Sequence, residues 1–364
     1  MEQNELTEYM NGAVRSLAGN INSTDLKEKL FLLSFRRNVG KAAELRSVSE
    51  QKREHIPSFL IASITNACNL FCKGCYARAN GLCGTTEKKL LTAEQWGTVF
   101  AQARDMGISF CLLAGGEPLM RRDVIKKAAS YRSIVFPVFT NGTMIDGAYA
   151  VFFSRHRNIV PVMSIEGDRE HTDGRRGEGT YEKLSAAAET LHRRGILWGA
   201  SVTLTTENIN EVTSENFTDQ LYEKGARLVF FIEYVPAVPG TENLAPGEKE
   251  RKILEQRTDI LRKRYSGMIL LAFPGDEKYL GGCLAGGRAF FHINPYGGAE
   301  PCPFSPYSDC NVTATPLREV LKSRLFTALR ENHLTGTEHS GGCALFEQKD
   351  QVRVLAAAVT EKDA

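Results

Sequence analysis

Residues Phe59 to Tyr76 read FLIASITNACNLFCKGCY, an apolar run followed closely by three cysteines, Cys68, Cys72 and Cys75. The run has the length and composition of a buried strand, so the Cys-x3-Cys-x2-Cys spacing falls on the loop leaving its C-terminal end. In parallel α/β folds ligands bind at that end. Outward from this point the pattern repeats, with strand candidates at 59–64, 108–113, 134–139, 159–165, 198–204 and 228–235. Amphipathic helix candidates follow them at 92–106, 122–131, 147–156, 180–194, 211–224 and 246–265. Thr92 with Gln95 three residues later predicts a capping box, and Gly107 and Gly195 stand where a left-handed residue ends a helix. Strand–helix alternation of this kind predicts a parallel sheet.

The chain has 364 residues, 42% of them hydrophobic and 24% charged, with a net charge of only +2. That suffices for a large core, and the dispersed Lys and Arg residues indicate neither a nucleic-acid nor a membrane partner. The N-terminus lacks the basic-then-apolar pattern of a signal peptide, and no run approaches the roughly 18 apolar residues of a membrane span. A cytoplasmic protein is expected. Positions 5–54 carry helix-period apolar residues without strand alternation, and beyond about Leu270 the chain becomes rich in Gly, Pro and Cys. The expected division is a helical extension over 1–57, a strand–helix region over 58–268 and a smaller region over 269–364.

Nine cysteines are few for a disulfide scaffold of this length, and a reducing compartment leaves the clustered ones for metal binding. Three thiolates can hold a cubane [4Fe–4S] cluster by three irons and leave the fourth open, whereas a structural zinc site wants four ligands. The zinc alternative would borrow Cys83; otherwise Cys83 is an unligated loop thiol. Cys111, inside an apolar strand, reads as a core residue.

The spacing, with the aromatic Tyr76 directly after the third cysteine, resembles the radical S-adenosylmethionine (SAM) superfamily, and Cys68, Cys72 and Cys75 match its cluster motif position by position. The resemblance covers most of the chain. It implies a partial (β/α)6 TIM-type barrel, a [4Fe–4S] cluster that binds SAM, and reductive cleavage of SAM to a 5′-deoxyadenosyl radical that abstracts hydrogen from a substrate. It also implies a flavodoxin or ferredoxin type electron donor. Gly115-Gly116-Glu117-Pro118 after the second strand is similar to the family's GGEP motif, which holds the methionine amino group of SAM. Thr140-Asn141 before Gly142, and Ser164 with Glu166, resemble the segments near the ribose and carboxylate, although many relatives carry Asp where Glu166 stands. Arg176, immediately before Gly177, resembles the Arg brought towards SAM; the alternative is a solvated loop carrying His171, Asp173, Arg175 and Arg176. Ser201, Thr203 and Glu207 read equally as SAM or substrate contacts and as rim polarity.

Cys283 and Cys302, with a hairpin between them, and Cys343 beyond a helix expected at 317–330 resemble the auxiliary-cluster region called SPASM or, shortened, Twitch. The dense cysteine run that supplies a second auxiliary cluster is missing, so one auxiliary [4Fe–4S] cluster is expected. Cys310 is either its fourth ligand or a surface thiol. A structural zinc site is the alternative. Three ligands would leave a second open iron able to bind substrate, whereas four favour a structural or relay role.

The implied substrate is a peptide or protein side chain, with a small molecule or tetrapyrrole-type cofactor precursor as the alternative. The extension over 1–57 is shorter than the winged-helix module that peptide-modifying relatives often carry, which argues against that module. A non-catalytic iron–sulfur or zinc protein is the reading from another class. Tyr234, Glu233 and His292 have structural explanations as good as catalytic ones, so no acid or base is named.

Overall fold

In the computed structural model, which describes residues 26–84, 87–335 and 342–360, the chain opens with helix α1 (Leu26–Gln51) and then alternates strands and helices. The helix expected over positions 5–25 lies outside the described residues. In order come β1 (Phe59–Ser63), α2 (Ala93–Met106), β2 (Phe110–Ala114), α3 (Arg122–Ala129), β3 (Phe136–Thr140), α4 (Gly147–Arg155) and β4 (Ile159–Ser164). They continue with α5 (Arg169–Arg176), α6 (Thr180–Arg193), β5 (Trp198–Leu204), α7 (Glu215–Glu223), β6 (Ala226–Glu233), α8 (Glu248–Arg264) and β7 (Ile269–Phe273). A hairpin, β8 (His292–Ile293) with β9 (Ala299–Glu300), precedes α9 (Arg324–Glu331) and α10 (Lys349–Thr360).

The sheet order is β7-β6-β5-β4-β3-β2-β1-β8-β9, parallel throughout except for the antiparallel β8–β9 pair. All six strands read from the sequence are present, in a partial (β/α) barrel with a helical N-terminal extension. Two differences extend it. Ile269–Phe273 is a seventh parallel strand against β6, delivered by the α8 crossover as β/α repetition requires. On the other edge, β8 pairs with β1 through Ile61 and Ala62, so the hairpin beyond residue 269 continues the same sheet.

Local signals explain several boundaries. Thr92 Oγ1 accepts from the Gln95 amide and Gln95 Oε1 from the Thr92 amide, starting α2; Gly107, at φ +88°, ends it in the left-handed region. A Cβ on Gly107 would stand 2.6 Å from the Ala42 carbonyl oxygen, so the glycine also lets α1 dock there. Buried Arg46 fastens that contact by donating to the Gly107 carbonyl, and burial lowers its pKa to about 10. Pro137 and Pro161 lie in neighbouring strands and each removes a ladder donor. The pairing of β2 with β3 is correspondingly thin, a Leu113–Val138 pair and a Phe110–Val135 bridge.

Candidate active site

The cysteine loop sits on the glycines after β2. The Gly116 amide donates to the Thr65 carbonyl at 2.9 Å and the Glu117 amide to the Ala67 carbonyl at 2.7 Å. A Cβ on Gly115, at φ +125°, would approach the Thr65 oxygen to 2.3 Å, and one on Gly116 would approach the Ala67 oxygen to 2.1 Å. What these glycines admit is the backbone leading into Cys68. Gly116→Ala is therefore expected to lift that backbone and impair iron loading while the helices persist; full iron content in an otherwise native variant would refute this.

Further along, Gly74 lies against the Tyr234 ring, whose hydroxyl donates to Thr241 Oγ1 at 2.9 Å. The Lys73 amide donates to the Arg175 carbonyl at 2.9 Å, and Arg176 Nη1 lies 3.9 Å from Cys72 Sγ. Cys68, Cys72 and Cys75 are all half-buried. Burial pushes the Cys72 thiol up, and the Arg176 and Arg175 charges pull it down.

Behind the loop, two carboxylates hold the strand ends. Glu117 is fully buried and accepts from the Leu119 amide (2.9 Å), Thr140 Oγ1 (2.7 Å) and the Asn141 amide (2.8 Å). Burial raises its pKa against these three bonds. Asn141 Nδ2 donates to Asn69 Oδ1 at 2.8 Å, carrying the brace into the cysteine loop. Glu166, also buried, accepts from Arg175 Nη1 (2.7 Å), Arg176 Nε (2.8 Å) and the Thr203 amide (2.9 Å). Burial acts to raise its pKa, but the two guanidinium groups prevail and hold it below the usual carboxylate range. Ser164 is half-buried beside Ser201 in the adjoining strand.

A second group of cysteines forms at the sheet's open side. Cys302 and Cys343 lie side by side, and Cys283 lies close enough to both for their charges to interact. All three line a cavity of about 210 Å³ in the barrel interior, whose other walls include Phe139, Phe230 and Phe273. Cys310 is not among its lining residues; its thiol lies beside Asp309. Cys343 is positioned by Glu233, which accepts from Arg251 Nε at 3.0 Å and from the Gly342 amide at 3.2 Å.

Residues 62–214 match the Radical SAM superfamily. That stretch is a radical SAM domain. It is 27% identical to the PqqA peptide cyclase of Rhizobium meliloti (strain 1021) over 294 residues, 77% of this chain and 72% of that protein. It is 26% identical to the AdoMet-dependent heme synthase of Methanosarcina barkeri (strain Fusaro / DSM 804) over 321 residues, 80% and 89% of the two chains. The fold is that of Streptococcus suis SuiB bound to S-adenosylmethionine, with a TM-score of 0.65 at 18% identity over 90% of this chain and 78% of the other. The protein is accordingly an enzyme, and the radical SAM match implies SAM and a [4Fe–4S] cluster.

Ligand spacing tests how such a cluster fits this radical SAM chain. Sulfurs around one zinc, at about 2.3 Å each, would stand only about 3.8 Å apart. Among the described residues, the one trio of ligand atoms within 4.8 Å of one another belongs to Asp168, His171 and Glu211. In neither cysteine triplet do all three sulfurs stand within that mutual distance. The Asp168 group has a structural account, since Asp168 caps α5 and His171 Nδ1 lies 2.7 Å from Glu211.

Other residues acquire defined places. Half-buried Tyr76 follows Cys75, its ring 4.8 Å from that of Phe304, two residues beyond Cys302, so the two cysteine groups share a wall. Buried His292 bridges Glu300 (Nδ1, 2.7 Å) and Ser63 (Nε2, 2.8 Å), stitching β9, β8 and β1. Thr203 Oγ1 accepts from Arg175 at 3.0 Å. Sequence reading missed Asn69, Asn208 and Arg121. Asn208 Nδ2 donates to the Glu166 carbonyl at 3.0 Å, and Arg121 Nη1 to the Ile64 carbonyl at 3.1 Å. Each acts through contacts distant in sequence that no short motif signals. Among the described residues no helix is long and apolar enough to cross a membrane.

Proposed function

We propose that this radical SAM enzyme abstracts hydrogen from a peptide or protein side chain, with Cys68, Cys72 and Cys75 as the ligands of the SAM-binding cluster. The observation that carries the reading is the half-buried three-thiol loop seated on Gly115-Gly116 at the strand C-termini, with Arg176 beside Cys72. SAM and the reduced cluster, when bound there, would supply the 5′-deoxyadenosyl radical. Around them Gly115 and Gly116 fix the loop, Glu117 holds Thr140 and Asn141 in place, and Glu166 orients Arg176. Tyr76 and Ser164 complete the SAM-side contacts. Similarity to a peptide cyclase favours the peptide substrate. Similarity to a heme synthase favours a tetrapyrrole-type small molecule as the second reading.

Cys283, Cys302 and Cys343 would hold one auxiliary [4Fe–4S] cluster in a SPASM/Twitch-like region over 269–364, facing the apolar cavity. Cys310, apart from that cavity, is left out of the ligand set. An iron without a protein ligand would then face the substrate space. A flavodoxin or ferredoxin type protein would supply the electron, and a cytoplasmic setting would keep the thiols reduced.

Anaerobic reconstitution should give about eight irons per chain, as two [4Fe–4S] clusters require, and 5′-deoxyadenosine from SAM with dithionite. Absence of SAM cleavage from the fully loaded protein would sink the enzyme reading. Cys302→Ala should hold about four irons and still cleave SAM, and Cys310→Ala should keep the full complement; iron loss in Cys310→Ala would make it the fourth ligand. Deuterium passing into 5′-deoxyadenosine from a labelled precursor peptide, rather than from a labelled porphyrin, would support the peptide reading.

A further inference from the structure

Cys83 is the one thiol near the first triplet that the reading above does not use, and several contacts hold it in position. Its amide donates to the Ala77 carbonyl at 2.8 Å, in the short helix just after Cys75. The next amide, Gly84, donates to the Asn66 carbonyl at 3.1 Å, and Asn66 Nδ2 returns a 2.8 Å bond to the Gly84 carbonyl. Leu82 and Cys83 are buried with Ala77 in a small cluster against which Cys68, Cys75 and Tyr76 pack. Within it the Cys68 and Cys83 thiols lie next to each other. The remaining cysteines are placed otherwise: Cys111 in the β2 core, Cys283, Cys302 and Cys343 at the second site, and Cys310 by Asp309.

We propose that Cys83 is a positioning residue whose S–H donates a hydrogen bond to the cluster-bound sulfur of Cys68 and so raises the reduction potential of the SAM-binding cluster. Iron ligation requires Cys68 to be a thiolate, which can only accept; the proton of the shared bond then belongs to Cys83. Hydrogen bonds to cluster sulfurs favour the more negative, reduced state, and burial excludes the water that would otherwise compete. Cys83 is thus assigned neither as a fourth ligand nor as an inert loop thiol.

This inference rests on Cys68 being a ligand, and its test separates the two. Cys83→Ala and Cys83→Ser are nearly equal in volume and differ by one hydroxyl donor. Both, reconstituted anaerobically in the full chain, should retain wild-type iron and sulfide content. In an EPR-monitored potentiometric titration of the one-electron couple, Cys83→Ala should shift the midpoint of the SAM-binding cluster to more negative potential. Cys83→Ser should return it towards wild type. Equal midpoints in all three proteins, or a common shift in both variants, would overturn the proposal. Loss of iron from both variants would overturn it by making Cys83 a ligand. Should the wild-type chain, or a Cys68→Ala variant, show that Cys68 binds no iron, the failure lies with the cluster assignment instead.

Discussion

Cys72→Ala is expected to reduce 5′-deoxyadenosine formation to the no-enzyme background and iron content from about eight to about four per chain, one [4Fe–4S] cluster being lost. The loop offers no replacement ligand at this position. Cys72 is held between the Lys73 backbone bond to Arg175 and the Arg176 guanidinium, whereas Cys83 packs with Cys68 and Cys75. Removing the thiol also leaves Arg176 facing an apolar methyl, a desolvated charge without its sulfur neighbour. The auxiliary site stands on separate elements and should keep its iron. Cys111→Ala is the control: that residue lies in the β2 core, so its loss costs some stability but neither cluster. Iron and SAM cleavage at wild-type levels in Cys72→Ala would refute the assignment.

That control shows what the sequence could disclose about cysteines. Cys111 was legible as core because it interrupts an apolar strand, and Cys68, Cys72 and Cys75 as a group because spacing alone brings them together. Long-range partners were not legible. Nothing in the motif around Glu117 signals that its two oxygens accept from Leu119, Thr140 and Asn141. Nor does it signal that the Thr65–Ala67 backbone lies against the two glycines before it. Both facts depend on how β1, β2 and β3 stand side by side.

The fold was legible wherever apolar periodicity decided it. It was less so where charge did the same work. Arg169-Glu-His-Thr-Asp-Gly-Arg-Arg has no apolar stripe and reads as a loop, yet it forms α5, capped by Asp168 and drawn inward by the pairing of Arg175 and Arg176 with Glu166. The segment expected at 211–224 splits at Thr213, and a new helix starts where Ser214 caps α7. At 269–273 the apolar run is followed by Gly, Pro and Cys, which mask a strand that only its partner β6 reveals.

Glu166→Ala should be the most damaging single change outside the cysteines, lowering stability by about 3–5 kcal/mol, as expected when one partner of a buried ion pair is removed. The carboxylate side chain is 1% exposed, against 19% for Arg175 and 9% for Arg176, so neither guanidinium can find enough water in compensation. For a protein of this size that corresponds to a fall in Tm of about 4–7 °C. Arg176 would also be freed from its place beside Cys72, so iron retention should fall with stability. Glu166→Gln separates the two effects, since it keeps a hydrogen-bond acceptor but not the charge. The pH dependence gives a second check with a fixed sign. A carboxyl group held low in the folded state contributes stability that is fully present above its unfolded pKa of about 4.3 and is lost as pH falls through the folded value. The gap in Tm between wild type and Glu166→Gln should therefore be constant near neutrality and narrow below about pH 4. A gap that does not change with pH, or a Glu166→Ala variant as stable as wild type, would show that the two arginines are held by something other than this carboxylate.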